Sequence, residues 1–319
     1  MPKKISAADA KYFLGFDGGG TKTECVLADA DGNILTRSTG GPSNPVRAGY
    51  TRAWFSLSDS ADAVLKHEKI TTGHVRGICA GLGGAGRSGV ARRAKTFFER
   101  AYPHAQVHVT TDLDIAHEAA FGGFEGIILL VGTGSAAFGR DASGRSARAG
   151  GRGPWFSDEG SAFDIGRRAV QAVALAEEHR GPTTALSARL FDFHQCRNWD
   201  QLSEPISKNP DSIFPKTFPL VAELAEEGDV VSQEILAGAA ASLASLVACV
   251  ADALGWRDRD VPLAKVGGAN GRSQYFDSAI DAELRKAVPR VVSVAVKLSP
   301  AEAAMRMAVR LASAKGNAA

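Results

Sequence analysis

Two segments in different halves of the chain read alike: GTKTECVLADADG, at 20–32, and GTGSAAFGRDASG, at 132–144. Laid one beneath the other without a gap, Gly20 matches Gly132 and Thr21 matches Thr133. Asp29 then meets Asp141, Ala30 meets Ala142 and Gly32 meets Gly144. Each copy follows a short apolar run and continues as a strand, a D-x-x-G turn and a second strand, the pattern of a β-hairpin. A chain that opens each half with the same hairpin is built from two related domains. The alternative is chance similarity between two glycine-rich hairpins. The first copy is preceded by FDGGGT, and a glycine run costs chain entropy. It is kept where something approaches the backbone closely or φ must turn positive. If both turns aim backbone N–H groups at one ligand, they hold the phosphate chain of a nucleotide; a plain tight turn is compatible with the same residues.

The rest of the chain alternates strands and helices, which makes the fold class α/β. YFLGFD, TECVLAD, NILTRS and VRGICAGL (75–82) read as strands, Tyr50–His67 and Arg87–Ala101 as helices. VHVTTD reads as a strand meeting an acid, with a helix from Asp114 to Phe121. GIILLVG is a buried strand, and beyond Ser157 helices dominate, broken by the strand-like PLAKVGG and VVSVAV. SPAEAAMRMAVRLASA closes the chain as a helix with Ser299 as N-cap and Pro300 in its first turn. A chain of 319 residues suits two domains. A net charge of +2 without a basic stripe argues against a nucleic-acid partner. The apolar run at 236–251 is shorter than the roughly 20 residues of a membrane span and, rich in Ala, Gly and Ser, reads as a core helix. MPKKISAADAK lacks the apolar stretch of a secretory signal. Cys25, Cys79, Cys196 and Cys249 show no CxxC pairing and read as reduced thiols in a cytoplasmic protein.

Several residues stand where chemistry would be done. Asp17 ends the first strand at the glycine turn, where an acid near phosphates would hold Mg²⁺ through water or merely cap its turn. Asp112 closes the strand VHVTT. Ligands in α/β folds bind beyond the carboxyl ends of strands, while capping of the next helix by Asp112 or Thr111 is the structural alternative; Asp114 competes and suits a capping place. GGRGPWFSDEGSAFDIG, at 150–166, mixes glycines with Asp158 and Glu159. That composition suits a polyhydroxylated ligand, or a helix start whose first turn favours acids. In GGPSNP, Asn44 reads a hydroxyl or makes a turn; in VGGANG, the glycines admit a flat adenosine or permit close packing. No P-loop, GxGxxG, HExxH or GxSxG motif is present.

In this order the motifs resemble those of the actin, hexokinase and heat-shock-chaperone ATPase superfamily: FDGGGTKTECVLAD its first phosphate motif, GIILLVGTGSAAFG its second, AKVGGANG its adenosine motif. The GGGT start, TTD strand end, GTGS hairpin and DEGS loop are most similar to the N-acetylglucosamine kinase family, from about Phe13 to the last helix. The resemblance implies two ribonuclease-H-like domains with a nucleotide and sugar cleft between them: 1–115, 116–298, and a terminal helix at 299–319 packing back on the first. It implies ATP and Mg²⁺ as cofactors, with Thr21, Lys22, Gly132, Thr133, Gly134 and Gly268 at the nucleotide and Asp17 at the metal. Asp112 would be the catalytic base, and Asn44, Gly151, Arg152, Gly153 and Asp158 would line the sugar.

The implied reaction is transfer of the γ-phosphoryl group of ATP to the 6-OH of N-acetylglucosamine, by a homodimer with no membrane or nucleic-acid partner. Two positions depart from the pattern. Arg152 stands where the family often has Trp, and Ala136 where it often has Asn. Both leave the sugar's 2-substituent open. Glucosamine is the alternative substrate, N-acetylmuramic acid and glucose stand behind it, and an arginine beside a protonated amine favours the acetylated sugar. Two readings of other classes remain: an ATPase that activates a CoA-ester reductase or dehydratase through an iron–sulfur cluster, and a sugar sensor.

Overall fold

The structure, a computed structural model, describes residues 11–316, with side chains to 313. The leader reading of the first ten residues lies outside them. The chain divides into two compact units. Unit 1 runs to Gly123 and resumes at Val296; unit 2 is Phe124–Ala295. The break falls at Gly122 and Gly123, both in the left-handed region at φ 60° and 93°, where Gly122 ends a helix.

Unit 1 contains β1 (Tyr12–Gly18), β2 (Thr23–Ala28), β3 (Ile34–Gly40), α1 (Pro45–Ala48), α2 (Tyr50–His67), β4 (Val75–Leu82), α3 (Ser88–Ala101), β5 (Gln106–Thr111) and α4 (Asp112–Phe121). Unit 2 contains β6 (Gly126–Val131), β7 (Ser135–Arg140), β8 (Ser146–Gly150), α5 (Ala162–Glu177), α6 (Leu186–Phe193), α7 (Trp199–Lys208), α8 (Pro210–Glu226), α9 (Val230–Leu254), β9 (Val261–Val266), α10 (Gln274–Ala287) and β10 (Val291–Ser293). The last helix, α11 (Pro300–Gly316), belongs to unit 1.

The two sheets have one topology. Unit 1 orders its strands β3-β2-β1-β4-β5, and unit 2 orders them β8-β7-β6-β9-β10. In each, three antiparallel strands are followed by two parallel ones. The D-x-x-G turns coincide in detail. The Asp29 carboxylate accepts from the N–H of Asp31 and Asn33 at 3.0 and 2.9 Å, and that of Asp141 from Ser143 and Arg145 at 3.0 Å each. Gly32 and Gly144 then take φ of 81° and 86°, a conformation that costs glycine nothing. The sequence repeat is a structural duplication.

Alternation along β1 decides what covers each face of the first sheet. Leu14 and Phe16 face the core beneath α2 and α3, with Cys25, Leu27, Ile78 and Leu82. Phe13 faces the other side, with Val26, Cys79, Ile115 and the alanines of α11. Gly15 lies on that second face, directly under α11. A Cβ added there would stand 2.2 Å from the Met305 nitrogen and 2.3 Å from the Ala301 oxygen, so the helix backbone rests on the strand. Ala301, Ala304 and Ala308 keep that approach open. Ser299 caps α11 as expected: its Oγ accepts from Glu302 N–H at 3.2 Å, and the Glu302 carboxylate accepts from Ser299 N–H at 2.8 Å.

In unit 2, α9 is long and apolar enough to cross a membrane by length and composition alone. It buries Ile235, Leu236, Leu243, Val247 and Val250 in the unit's core beside Ile127, Leu129 and Phe218, which accounts for its composition. Two element readings change. The helix after β5 starts at Asp112 rather than Asp114, and in VVSVAV only Val291–Ser293 pair, along the edge of the sheet.

Candidate active site

In unit 1 the carboxyl ends of the parallel strands β1, β4 and β5 carry the acids. Asp17, the penultimate residue of β1, pairs in register with Glu24 across the hairpin. Its carboxyl is closely hemmed in, and its pKa rises from 3.8 to about 7. Burial is the largest cause, followed by the neighbouring carboxylates Asp112 and Glu24, with Lys22 opposing weakly. Asp17 and Asp112 are thus electrostatic neighbours.

The hydrogen bonds around β5 separate Asp112 from Asp114. Thr111 is the N-cap of α4. Its Oγ1 accepts from Asp114 N–H at 3.1 Å, and the Asp114 Oδ2 accepts from the hydroxyls of Thr111 and Thr110 at 2.6 and 2.7 Å. This capping box occupies Asp114. Asp112, in the first turn of the same helix, accepts from the adjoining Leu113 N–H at 3.0 Å and keeps a partly exposed carboxylate near Asp17.

The first glycine turn is built by close approach rather than by left-handed backbone. None of Gly18, Gly19 and Gly20 has positive φ. A Cβ on Gly18 would lie 2.4 Å from Ser43 Oγ and 2.5 Å from Leu82 Cδ2. The Gly19 N–H donates to the Lys22 carbonyl at 2.9 Å, closing the turn, and the Gly19 carbonyl accepts from Ser43 N–H and Asn44 N–H at 3.0 Å each. Thr21 and Lys22 are exposed at its tip. Beneath it, buried Thr23 donates to the Gly41 carbonyl at 2.6 Å and shares a 2.7 Å hydrogen bond with Ser43 Oγ. The 40–45 loop is thereby tied to the turn. Asn44 caps α1, its Oδ1 accepting from Val46 N–H at 3.0 Å, while its amide nitrogen abuts Gly83.

Unit 2 repeats this design with different side chains. Gly132 N–H donates to the Gly134 carbonyl at 2.9 Å, and the Gly132 carbonyl accepts from Ala162 N–H at 2.9 Å. Ser135, the counterpart of Thr23, donates to the Glu159 carbonyl at 2.7 Å. A Cβ on Gly134 would stand 2.8 Å from the Asp158 carboxylate. Asp158 is buried, has φ 66°, and accepts from Gly153 N–H at 3.4 Å. It therefore joins the turn to the 150–153 loop. Gly151 and Gly153 take φ of 68° and 113°, and Arg148 fixes the loop by donating to the Gly150 carbonyl at 3.2 Å and to that of Gly151. Arg152 is exposed on this loop, and the Ala136 Cβ lies against Gly151. Gly268 is exposed and open, with its backbone nitrogen adjacent to Gly132.

The expected residues thus fall into two sets: Asp17, Thr21, Lys22, Asn44 and Asp112 in unit 1, and Gly132–Gly134, Gly151–Gly153, Asp158 and Gly268 in unit 2. Sequence reasoning passed over Thr23 and Ser135, which are chemically matched though not identical, and Ser43. It also passed over Arg47, whose side chain lies against Gly20.

The unit 1 acids suit a hydrated magnesium ion, which needs only one or two carboxylates: Asp17 and Asp112 repel each other, and a dication would relieve that repulsion. Among the described residues no group of three or more His, Cys, Asp or Glu is arranged to hold a metal directly. Cys25 and Cys79 are buried strand residues; burial pushes the Cys25 thiol well up and that of Cys79 to about 12.

A sequence profile of the BadF/BadG/BcrA/BcrD ATPase family matches residues 14–307. The chain is 29% identical to the N-acetylmuramic acid/N-acetylglucosamine kinase of Clostridium acetobutylicum, over 90% of this chain and 94% of that one. It is 27% identical to the N-acetyl-D-glucosamine kinase of Dictyostelium discoideum, over 94% and 98%. The crystal structure of a candidate N-acetylglucosamine kinase from Chromobacterium violaceum superposes with a TM-score of 0.77 at 25% identity, covering 94% of this chain and 99% of that one. The fold is that of the sugar kinases with the actin-like ATPase architecture.

Proposed function

This chain belongs to the BadF/BadG/BcrA/BcrD ATPase family, and we propose that it is an ATP-dependent amino-sugar kinase acting on the 6-OH of N-acetylglucosamine. The observation that carries the mechanism is the division of labour at the end of β5. Thr111 and Asp114 form the capping box of the helix, while Asp112, in its first turn, stands partly exposed beside Asp17. In the reaction the bond between the γ-phosphorus and the β,γ-bridging oxygen breaks, and a bond from phosphorus to the sugar oxygen forms. The hydroxyl proton passes to the Asp112 carboxylate. ADP leaves with the electron pair of the broken bond. Such transition states are loose, so the protein contributes position and charge neutralisation more than covalent chemistry.

The remaining roles are those that the family resemblance implies. The backbone turns at Gly19–Lys22 and Gly132–Gly134 hold phosphate oxygens, with the Thr21 and Thr133 hydroxyls and Lys22 beside them, and Gly268 lies against the nucleoside. Asn44 and the Gly151–Gly153 loop, with Arg152, bind the sugar, and Asp158 accepts from its hydroxyls. Magnesium, held through water at Asp17, would neutralise phosphate charge when bound. The names of the relatives support the acetylated amino sugar, and one of them adds N-acetylmuramic acid as a substrate to compare. The iron–sulfur activator reading draws no support from Cys25 and Cys79, which are buried in strands and held as thiols. A cytoplasmic homodimer is proposed on the family resemblance.

The test is ADP release by the purified protein with Mg-ATP and N-acetylglucosamine, glucosamine, N-acetylmuramic acid, N-acetylmannosamine or glucose. Stimulation by N-acetylglucosamine well above the others is expected. If none of the sugars stimulates release while ATP still binds, the kinase assignment fails.

A further inference from the structure

We propose that Arg47 is a phosphate-binding residue, a cation built over the first glycine turn to hold the terminal phosphoryl group of the nucleotide. The proposal rests on the kinase reading for the identity of the ligand, but its geometry stands on unit 1 alone. A Cβ added at Gly20 would come within 3.2 Å of Arg47 Cδ and 3.3 Å of Nη1. The guanidinium therefore lies against the bare backbone of the turn, in the space that any side chain at Gly20 would take. Gly20 has no positive φ, so backbone conformation does not require a glycine there, and a side chain would crowd the guanidinium.

The placement is fixed by the chain and not left to a long side chain on its own. Arg47 stands in α1, whose N-cap Asn44 and the preceding Ser43 are anchored to the turn through the Gly19 carbonyl, which accepts from both N–H groups at 3.0 Å each. The Arg47 N–H in turn donates to the Asn44 carbonyl at 3.1 Å. One short segment thus carries Asn44, which the proposed function assigns to the acceptor sugar, and Arg47, which lies against the turn assigned to phosphate. The group that passes between the two during transfer is the γ-phosphoryl. Two features of the turn agree with this. Lys22 is exposed at its tip, and the acids Asp17, Glu24 and Asp112 are electrostatic neighbours at the strand ends beside it. An anion with three terminal oxygens held beside those acids needs cations, and arginine's planar fork can bind two of the oxygens at once. The second turn carries Gly134 where the first carries Lys22.

The experiment compares ATP and ADP affinities by titration calorimetry with Mg²⁺ and no sugar, for wild type, Arg47→Ala, Arg47→Lys and Gly20→Ala. Arg47 is exposed, so Arg47→Ala remains folded, with its melting temperature read as the check. Its ATP affinity falls about 10- to 100-fold, the range of a lost charge-assisted contact, and its ADP affinity stays within about twofold. Arg47→Lys recovers part of the loss. Gly20→Ala reproduces the effect, and the double variant Gly20→Ala/Arg47→Ala loses no more than either single one. Unchanged ATP binding in Arg47→Ala overturns the proposal, as does an equal loss of ATP and ADP binding. A wild type that binds ATP more tightly than ADP but phosphorylates no sugar would sink the kinase reading and leave this one standing.

Discussion

Replacing Asp17 by asparagine separates what this carboxylate costs the fold from what it does for the chemistry. Its pKa stands near 7 in the folded protein against 3.8 for the ordinary side chain, raised chiefly by burial and then by Asp112 and Glu24. Below pH 3.8 the group is protonated in both states and costs nothing. Between about 4 and 7 the unfolded chain loses the proton while the folded one keeps it, so stability falls as pH rises; above about 7 the penalty is complete. At about 1.4 kcal/mol per pKa unit the shift amounts to about 4 kcal/mol, and the carboxyl's solvent-facing edge reduces this to roughly 2–4 kcal/mol. Asp17→Asn removes the charge and keeps the shape. At pH 8 and without ligands its melting temperature should exceed that of the wild type by roughly 5–10 °C. The gap should shrink by more than half at pH 5. Phosphoryl transfer should be lost in the same variant, and saturating Mg-ATP should stabilise the wild type more than the variant. Differential scanning calorimetry from pH 5 to 8 reads the effect directly. A gap that does not change with pH, or a variant less stable than wild type at pH 8, would refute the account of strained charge at this site.

Three further outcomes follow from the geometry. Asp112→Asn should lower kcat by about 10²–10⁴-fold, the range of a lost general base, with the KM values for sugar and ATP little changed; steady-state kinetics would move the base elsewhere if turnover persisted. Gly134→Ala places a methyl 2.8 Å from the Asp158 carboxylate. It should raise the sugar KM, and combined with Asp158→Ala it should lose less than the sum of the two, which a double-mutant cycle in KM checks. Gly15→Ala drives a methyl into the backbone of α11 at 2.2 Å from the Met305 nitrogen. It should destabilise unit 1 by about 3 kcal/mol or more, and an unchanged urea midpoint would show that the helix shifts at little cost.

Much of this architecture was legible because the signals were local. The D-x-x-G turns need an acid at one end and a glycine able to take positive φ at the other, and those residues are the ones that the two halves of the sequence share. The helix cap at Ser299 and the strand Val75–Leu82 were readable for the same reason. The start of α4 was not. Thr111, Asp112 and Asp114 are all competent caps, and only the hydrogen bonds from Thr110 and Thr111 to Asp114 show which acid the helix uses. Arg47 was invisible because its nearness to Gly20 is created by the 43–44 segment folding back onto Gly19. No spacing in the sequence records that contact.

The duplication explains why the two turns are alike, and their differences suggest how a repeated hairpin came to serve two ends. Both keep a buried hydroxyl at the head of the second strand, Thr23 in one and Ser135 in the other, bonded to a carbonyl of a later loop. That bond ties loop to turn in each unit and tolerates little change. At the tip the constraint differs. In unit 2 the Asp158 carboxylate fills the space beside Gly134, so that position must stay bare and the acid serves the 150–153 loop. In unit 1 the register leaves four residues, Gly19–Lys22, between Gly18 and Thr23, against three between Val131 and Ser135. The extra residue is Gly19; at the shared positions unit 1 carries Lys22 where unit 2 carries Gly134, and Arg47 lies against Gly20. Lys22 and Arg47 thus stand at the turn of the unit that also holds Asp17 and Asp112, the arrangement the proposed phosphate site calls for. In the other unit the acid beside the turn, Asp158, is tied to the 150–153 loop.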